Sequence, residues 1–317
     1  MNESHALTSI ASRLAHVGAS VFERGWLSSN NILFTGNDST ALVDSGYCTH
    51  SSQTLTLVHE ALGTKPLDRL LNTHLHSDHC GGNAVLQSAY PNLETFIPPG
   101  QANAVAHWDP VELTHEPTGQ SCPPFQFQGI LTPGTNVLLG DGSWEIHAAK
   151  GHDPHSVVLF EPQSRLLISA DALWQNGFGV VFPELEGIDA FEEVAETLTL
   201  IEALKPSAVI PGHGGVFEDV DGALQRARSR LEQFSKNPEK HSRYALKVLL
   251  KFKLLEWQSV TLDELFAWYV NNPYITRIEQ RPTEPEGGML RASLQSLLNE
   301  LAKGNALRVE GDRVFNA

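Results

Sequence analysis

The chain has 317 residues, about twice the commonest domain size, so it forms one large domain or a large domain with a smaller one. With 41% hydrophobic and 19% charged residues, it has the composition of a folded globular protein, which excludes disordered, collagen-like and coiled-coil classes. A formal net charge of -15 argues against general binding of nucleic acids or anionic membranes, and the 14 histidines point to metal or proton chemistry.

Cysteine usage and hydropathy indicate a cytoplasmic protein. Cys48, Cys80 and Cys122 are odd in number, widely spaced and form no CxxC pair, as expected in a reducing compartment. Residues 1–20 lack the continuous apolar core of a secretory signal. Because no segment approaches the roughly 18 apolar residues of a membrane span, we expect no membrane-spanning helix.

Short strands alternate with helical patterns through the first two-thirds of the chain. Helical periodicity covers residues 51–62 and 191–204. In chain order, the predicted strands are residues 32–34, 40–43, 67–73, 96–97, 137–139, 145–148, 157–160, 166–169 and 208–210. Polar side chains follow several of these strands, and strand ends are where α/β enzymes place their chemistry.

The character of the sequence changes after residue 235. Residues 235–239 are typical of a linker, which divides the chain into a large domain, residues 1–235, and a small one, residues 240–317. The small domain has the order helix, helix, helix, hairpin of a winged-helix module, predicted at residues 243–256, 262–270, 289–303 and 307–315. It contains 11 Lys+Arg and 9 Asp+Glu, so the negative charge lies on the large domain.

The strongest motif follows the predicted strand 67–73 and reads HLHSDHCGG from His74 onwards. Alternation places His74 and His76 on one side of the chain, while Asp78 and His79 open the next helix. Four ionisable side chains at one point are costly to bury without a cation, and imidazole and carboxylate groups are metal ligands. The motif therefore predicts a metal site.

Further ligands are expected from distant strand ends. His152 precedes one predicted strand, and Asp171 and His213 each follow another. Each alone is a weak signal, because an aspartate at a strand end more often caps a helix. Taken in chain order with the first motif, the three residues form a convincing set.

This order of motifs, HxHxDH followed by a later His, a later Asp and a final His, resembles the metallo-β-lactamase superfamily of metallohydrolases over about residues 17–235. The resemblance implies an α/β (α+β) fold: a four-layer αβ/βα sandwich with two central mixed sheets, a metal pair at the sheet edges, and here the small winged-helix-like domain. It also implies a first metal held by His74, His76 and His152, a second held by Asp78, His79 and His213, and Asp171 bridging both.

The same resemblance implies a dinuclear hydrolase in which a metal-bridged hydroxide attacks a carbonyl. Neutral imidazoles and carboxylates suit two divalent cations, Zn²⁺ first, with Fe or Mn also accepted by this set. Asp78 would be catalytic, because it can ligate, orient the hydroxide and pass a proton to the leaving group. Asp44, after the strand 40–43, resembles the family's early aspartate and either orients a ligand from behind or is a turn residue.

Other residues near the motifs have two interpretations each. Cys80 is either a ligand or nucleophile or, as we expect, a small buried residue under the helix start. Trp174, Phe178 and Phe182 follow Asp171 in an apolar loop that forms either a substrate-binding wall or part of the core. Residues 101–130 form a long irregular insertion, and we expect a lid or substrate loop there.

The resemblance favours hydrolysis of a thioester, ester or lactone bond of a small molecule. Glyoxalase II, the hydroxyacylglutathione hydrolase, is the best-known relative of this kind, although the tail shows no basic glutathione-binding patch. The absence of an export signal disfavours an antibiotic-hydrolysing role.

Two alternatives remain open. A metal-dependent ribonuclease or phosphodiesterase is suggested by the winged-helix-like tail, which resembles that of RNA-cleaving members, but the acidic large domain would repel RNA. A non-enzymatic DNA-binding regulator would need the helix 289–303 to read DNA, yet this helix has an apolar stripe and only Arg291 and Lys303 as cations. We therefore expect a structural or homodimerising tail, or one that closes the substrate cleft, and no nucleic-acid partner.

Overall fold

Two β-sheets form the centre of the fold. The computed structural model describes residues 9–37, 39–279 and 288–317. The first sheet contains, in order of pairing, β1 (Ala19–Phe22), β2 (Asn31–Thr35), β3 (Thr40–Val43), β4 (Arg69–Leu71), β5 (Glu94–Ile97) and β6 (Gly129–Ile130). The second contains β7 (Asn136–Leu139), β8 (Gly142–Ala148), β9 (Val157–Glu161), β10 (Leu166–Ala170) and β11 (Ala208–Pro211). Both sheets are mixed, because β3–β4 and β10–β11 are parallel whereas β2–β3 and β9–β10 are antiparallel.

The two sheets pack face to face through alternate residues of their strands. Ile32 and Val43 of the first sheet share one buried cluster with Ile146, Leu159 and Ile168 of the second. Successive side chains of a strand point to opposite faces, so the intervening apolar residues must be covered from outside.

Helices supply that outer cover. They are α1 (Ile10–His16), α2 (Ser51–Leu62), α3 (Ser77–Cys80), α4 (Asn83–Ala89), α5 (Ala102–His107), α6 (Phe182–Leu185), α7 (Phe191–Leu204) and α8 (Val220–Lys236), with a 3-10 turn at Cys48–His50. Leu33 and Leu42 of the first sheet cluster with buried residues of α2 and α4. Phe160 and Leu167 of the second sheet cluster with α7 and α8. The layers are therefore helix, sheet, sheet and helix, and the predicted fold class is confirmed.

The C-terminal segment has an apolar core of its own. Its elements are α9 (Pro238–Trp257), β12 (Ser259–Thr261), α10 (Leu262–Asn271), α11 (Pro273–Glu279), α12 (Gly288–Lys303), β13 (Leu307–Glu310) and β14 (Arg313–Asn316). The strands form an antiparallel sheet in the order β12-β14-β13. Leu249, Leu265, Leu294 and Val314 meet in one buried cluster, which Val180 of the large part joins.

Several predicted boundaries are confirmed, but the linker is wrong. The helices predicted at residues 51–62 and 191–204 coincide with α2 and α7. In place of a linker over residues 235–239, Asn237 alone separates α8 from α9, because Pro238 occupies the first turn of α9, where its missing N–H costs no hydrogen bond. The tail has the predicted helices and hairpin together with β12 and α11, and its winged-helix identity and the domain division stay predictions. No helix among the described residues has both the length and the hydropathy needed to cross a bilayer.

Polar residues gather where the strands of both sheets end. Asp44 follows β3 and the loop 72–76 follows β4, while Asp171 follows β10 and His213 follows β11. His152 lies in the connection between β8 and β9. Because parallel strands end at the same edge of a sheet, these connections meet in one place, which is where α/β folds bind ligands.

Candidate metal centre

Seven imidazole and carboxylate side chains from four segments converge at one cavity. All seven are ligands expected from the sequence: His74, His76, Asp78, His79, His152, Asp171 and His213. His76 and Asp78 are partly exposed to the cavity, and the other five are buried. The structure thus brings every predicted ligand to the same point.

The ligand atoms form groups of close neighbours in which no two atoms are more than 4.8 Å apart. The groups are His74 with His76 and His152, Asp78 with His79 and His213, and a linking group of His74, His79 and Asp171. Nε2 of His152 lies 2.9 Å from Nδ1 of His76, and Nε2 of His213 lies 3.1 Å from Oδ2 of Asp78. The first two groups are the two ligand triads that the resemblance implies.

Asp171 lies between the two triads. Its Oδ2 is 3.5 Å from Nε2 of His152. Its Oδ1 is 3.5 Å from Nε2 of His79 and 3.8 Å from Nε2 of His213. Each carboxylate oxygen faces a different triad, which is the arrangement that a carboxylate bridging two cations requires.

Backbone geometry turns Asp171 towards the triads. The preceding residue, Ala170, has a left-handed φ of 45°, and the pairing of β10 with β11 shifts register between Ile168 and Ala170. A non-glycine residue in this region costs roughly 1–3 kcal/mol and is typical of functional sites. Gly212 approaches the same carboxylate so closely that a Cβ at this position would collide with Oδ1 of Asp171.

Unpaired ring nitrogens show that these residues fit a cation. Within residues 9–37, 39–279 and 288–317, the buried Nε2 atoms of His74 and His79 have no hydrogen-bond partner. A buried polar atom left unpaired costs about 1–3 kcal/mol, whereas a bound cation would use its lone pair. The set contains imidazoles and carboxylates and no thiolate, which suits Zn²⁺, iron or manganese.

Burial keeps two rings of the first triad, His74 and His76, in the form that binds metal. It lowers the pKa of His74 well below the ordinary histidine value, and neighbouring imidazoles add to this effect. Burial likewise lowers the pKa of His76 to about 4. Both rings are therefore neutral at pH 7, with a lone pair on one nitrogen.

Carboxylates dominate the electrostatics around the second triad. Burial by itself would lower the pKa of His79, but three nearby carboxylates, Asp44 foremost, outweigh it and raise that pKa well above the ordinary value. Burial raises the pKa of Asp171, yet His213 and His79 together hold it well below the usual range. Ionised carboxylates thus surround a point that favours positive charge, whether a proton or a metal cation supplies it.

Hydrogen bonds at Nδ1 orient the rings of His79 and His152. Nδ1 of His79 lies 2.8 Å from Oδ2 of Asp44. The Asp44 carboxylate also accepts the backbone N–H of Thr73 at 2.9 Å and its hydroxyl at 2.8 Å. Nδ1 of His152 donates to the carbonyl of Val180 at 2.5 Å. When Nδ1 of each ring donates its proton in this way, Nε2 keeps a free lone pair. Proteins commonly orient metal-binding histidines by such hydrogen bonds.

The cavity beside the metal ligands is partly aromatic. Trp174 and Phe182, both expected at a substrate wall, line it. The Trp174 ring lies 5.5 Å from the ring of His213, and the Phe182 ring lies 5.0 Å from that of His76.

Phe178 is a correction to the sequence-based prediction of a substrate contact. Its side chain is only 1% exposed and packs edge-on against Phe234 of α8. The space between the second sheet and α8 needs a large apolar group, and Phe178 fills it as part of that core.

Sequence reasoning missed other cavity residues. Trp26, which is 57% exposed, stacks on the His213 ring at 5.3 Å with an interplanar angle of 13°. Tyr244, Val248 and Phe252 of α9 also line the cavity, so the C-terminal segment forms one of its walls. A lone loop tryptophan and an ordinary apolar helix face carry no signal by which sequence alone could have placed them there.

The predicted lid or substrate loop, residues 101–130, lies at this cavity. Thr114, Thr118 and Gln120 line it, and the hydroxyl of Ser77 on α3 donates to the Gln120 side chain. Loop and metal-binding segment are therefore in direct contact.

Comparison with known proteins identifies the family. The sequence profile of the metallo-beta-lactamase superfamily matches residues 24–213, more than half of the chain. A hydroxyacylglutathione hydrolase of Enterobacter sp. (strain 638) is 25% identical over 179 residues, which are 56% of this chain and 58% of that protein. The chain thus spans less than two-thirds of that relative's length.

Solved structures share the fold. A metallo-beta-lactamase family protein from Thermus thermophilus has a TM-score of 0.56 at 17% identity, covering 95% of this chain and 99% of that one. TTHA1623, solved in a di-iron-bound form, has a TM-score of 0.53 at 23% identity, covering 66% of this chain and 98% of that one. Profile, fold and the converging ligand set agree, and the chain belongs to the metallo-beta-lactamase superfamily.

Proposed function

We propose that this protein is a dinuclear metal-dependent hydrolase that cleaves a thioester, ester or lactone bond of a small molecule. The observation that carries the proposal is the position of Asp171, whose two oxygens face two ligand triads at 3.5 Å each. That arrangement supports two cations rather than one. The name of the Enterobacter relative, hydroxyacylglutathione hydrolase, supports hydrolysis at a carbonyl.

The seven ligands would hold two divalent cations, and we propose zinc, with iron or manganese as alternatives. Such cations supply Lewis-acid polarisation of a carbonyl and an acidic water. The chain's own groups supply orientation: Asp44 and the Val180 carbonyl hold the rings of His79 and His152 in place.

Asp78 is the proposed proton carrier. Its side chain is 14% exposed and lines the cavity, so it can reach both the attacking water and a leaving group. Burial raises the pKa of Asp78, but His79 and His213 outweigh this effect and lower it below the usual range. An ionised carboxylate at this position can accept a proton during attack and return it to the departing atom.

A second cavity, which adjoins the first, supports a substrate with an apolar group. It has a volume of about 430 Å³ and shares Trp26, Tyr244, Val248 and Phe252 with the metal cavity. Leu255 extends its wall away from the metal ligands. Apolar walls of this extent suit an alkyl or aryl part of a substrate whose scissile bond lies at the metal centre.

The lysines at this second cavity are already paired. Nζ of Lys247 lies 3.2 Å from the carboxylate of Glu300. Nζ of Lys251 donates to the Ala306 carbonyl and to the Asn316 side chain, both at 2.6 Å. A carboxylate-bearing substrate such as glutathione would have to break these contacts, so we propose a hydrophobic acyl or alcohol part instead.

Substrate turnover by matched aspartate variants tests the proposed activity. Thioesters, esters, lactones, phosphodiesters and RNA should be compared on wild type, Asp78→Asn and Asp263→Asn, whose carboxylate is on α10 and 89% exposed. We expect turnover of a carbonyl substrate and a loss of about 10²–10⁴-fold in kcat for Asp78→Asn alone. Undiminished turnover by Asp78→Asn would contradict the assignment, and cleavage of phosphodiesters or RNA alone would replace carbonyl hydrolysis with the nuclease alternative.

The apolar cavity has a separate test. Val248→Trp should fill it, so the ratio of kcat/KM for long to short acyl thioesters should fall by about fourfold for each methylene no longer buried, at ~0.8 kcal/mol each. Val309→Trp, at an exposed valine of β13, is the matched control and should keep the wild-type ratio. An unchanged ratio in Val248→Trp would show that the acyl group binds elsewhere.

A further inference from the structure

A second cluster of metal-ligating side chains lies beside the dinuclear centre and shares no ligand with it. Cys80 ends α3, and His115 and Cys122 both belong to the loop 101–130. The two Sγ atoms and a ring nitrogen of His115 lie within 4.8 Å of one another. Cys80 is 0% exposed and His115 is 2% exposed, whereas Cys122 is partly exposed, and both cysteines are free thiols.

The ring of His115 is oriented as a ligand would be. Its Nε2 lies 2.9 Å from the carbonyl of Leu75, and because a carbonyl can only accept, Nε2 carries the proton and Nδ1 the lone pair. Nδ1 is buried and has no hydrogen-bond partner in the part of the chain that the structure describes. Metal-binding histidines usually donate one ring nitrogen to such a carbonyl while the other holds the cation.

The separation of the two sulfurs fits a shared cation. Sγ of Cys80 and Sγ of Cys122 are 3.7 Å apart. Two thiolates bound tetrahedrally to one Zn²⁺ at ~2.3 Å are about 3.8 Å apart. A disulfide would need about 2.0 Å. A water beside the partly exposed Cys122 can complete the coordination.

We propose that Cys80, His115 and Cys122 bind a third cation of the thiophilic class, with Zn²⁺ as the natural occupant. This cation would join α3, which carries two ligands of the dinuclear centre, to the loop that lines the substrate cavity. Its role would be to hold that wall in place, adding to the hydrogen bond from Ser77 to Gln120.

Cobalt substitution gives a readout that the dinuclear centre does not share. The seven ligands of that centre include no sulfur, so a sulfur-to-cobalt charge-transfer absorption in the near ultraviolet reports on the cysteine cluster alone. Full-length protein freed of metal by chelation should be titrated with Co²⁺ under reducing, oxygen-free conditions. We expect this band in wild type and in Cys48→Ser, the matched control, whose thiol instead donates to the Ser121 carbonyl at 3.2 Å. Cys122→Ser should lose the band and bind about one metal ion fewer per chain.

Alkylation of the unsubstituted protein provides a second measurement that does not depend on a variant folding. Zinc in excess of the dinuclear centre should protect Cys122 from iodoacetamide while leaving Cys48 reactive. Absence of the band in wild type, persistence of the band in Cys122→Ser, or equal alkylation of Cys122 with and without zinc would each overturn the proposal. A Cys80–Cys122 disulfide in the metal-loaded protein would overturn it as well, because the thiolates would no longer be available.

Discussion

Replacing Asp44 by Asn should weaken metal binding although the substitution is nearly isosteric. In the wild type, Oδ1 accepts the backbone N–H of Thr73 at 2.9 Å, and Oδ2 accepts from the Thr73 hydroxyl and from Nδ1 of His79, both at 2.8 Å. An amide offers only one acceptor oxygen for these three donors. Either its NH₂ group faces His79 or it faces the backbone N–H of Thr73.

Both orientations are costly. With NH₂ towards His79, the amide donates to Nδ1, the ring proton moves to Nε2, and the lone pair that a cation needs is lost. With NH₂ towards Thr73, a buried backbone donor stays unpaired at a cost of about 1–3 kcal/mol. Changes of residues that orient ligands typically cost about 10–100-fold in metal affinity, or ~1.4–2.8 kcal/mol, and we expect that range here.

Asp68→Asn is the matched control for this substitution. Asp68 also accepts a backbone N–H and a hydroxyl, both from Thr40, at 2.8 and 3.1 Å, but it does not contact a metal ligand. Competition with a chromophoric zinc chelator should show weaker binding in Asp44→Asn and wild-type binding in Asp68→Asn. A folded Asp44→Asn protein that binds both cations with wild-type affinity would refute the orienting role.

Three further predictions follow from the same geometry. Gly212→Ala should lower the metal content measured by atomic absorption, because the added Cβ would collide with Oδ1 of Asp171. Gly288→Ala, whose Cβ would meet no atom of the described residues within 4 Å, should retain the wild-type metal content, and equal contents in the two variants would contradict the close approach. Burial lowers the pKa of His241, whose Nε2 accepts the N–H of Val181, to about 4. The unfolded chain therefore binds this proton more readily, and the free energy of unfolding should fall by up to ~1.4 kcal/mol per pH unit as the pH drops from about 6.5 to about 4. In His241→Gln, the free energy of unfolding measured with urea should depend less steeply on pH than in wild type. The same dependence on pH in both proteins would contradict a role of His241. Finally, excess zinc should raise the unfolding free energy of the chelator-treated protein, by ~4 kcal/mol at a thousandfold excess over Kd, and an unchanged Tm would argue against metal binding by the folded state.

The seven candidate metal ligands could be predicted from sequence because their signals are local. Four of them, from His74 to His79, lie in one short motif, Asp171 and His213 closely follow short apolar runs that are strands in the structure, and His152 lies in the connection between two such strands. Periodicity locates such strands, and parallel pairing brings their ends together. The ligand triads themselves came from the family resemblance.

The walls of the cavity could not be predicted in the same way. Phe178 and Phe182 are four residues apart in the apolar segment that follows Asp171, yet one packs in the core and the other lines the cavity. Tyr244, Val248 and Phe252 lie on an apolar face of α9, and sequence does not say against which surface such a face packs. Their placement depends on long-range packing of the C-terminal segment.

The predicted linker shows how local composition can mislead. Residues 235–239 are polar and contain a proline, which normally marks a break between elements. In the structure, Pro238 begins α9, so the break is confined to Asn237. A proline is compatible with the first helical turn, and the helix that it begins lines the cavity.

Anomalous diffraction from crystals loaded with zinc, recorded at the zinc absorption edge, tests the dinuclear centre most directly. We predict two peaks on either side of the Asp171 carboxylate, one within reach of His74, His76 and His152 and the other within reach of Asp78, His79 and His213. One peak alone, or none among these seven residues in the folded protein, would contradict the dinuclear centre.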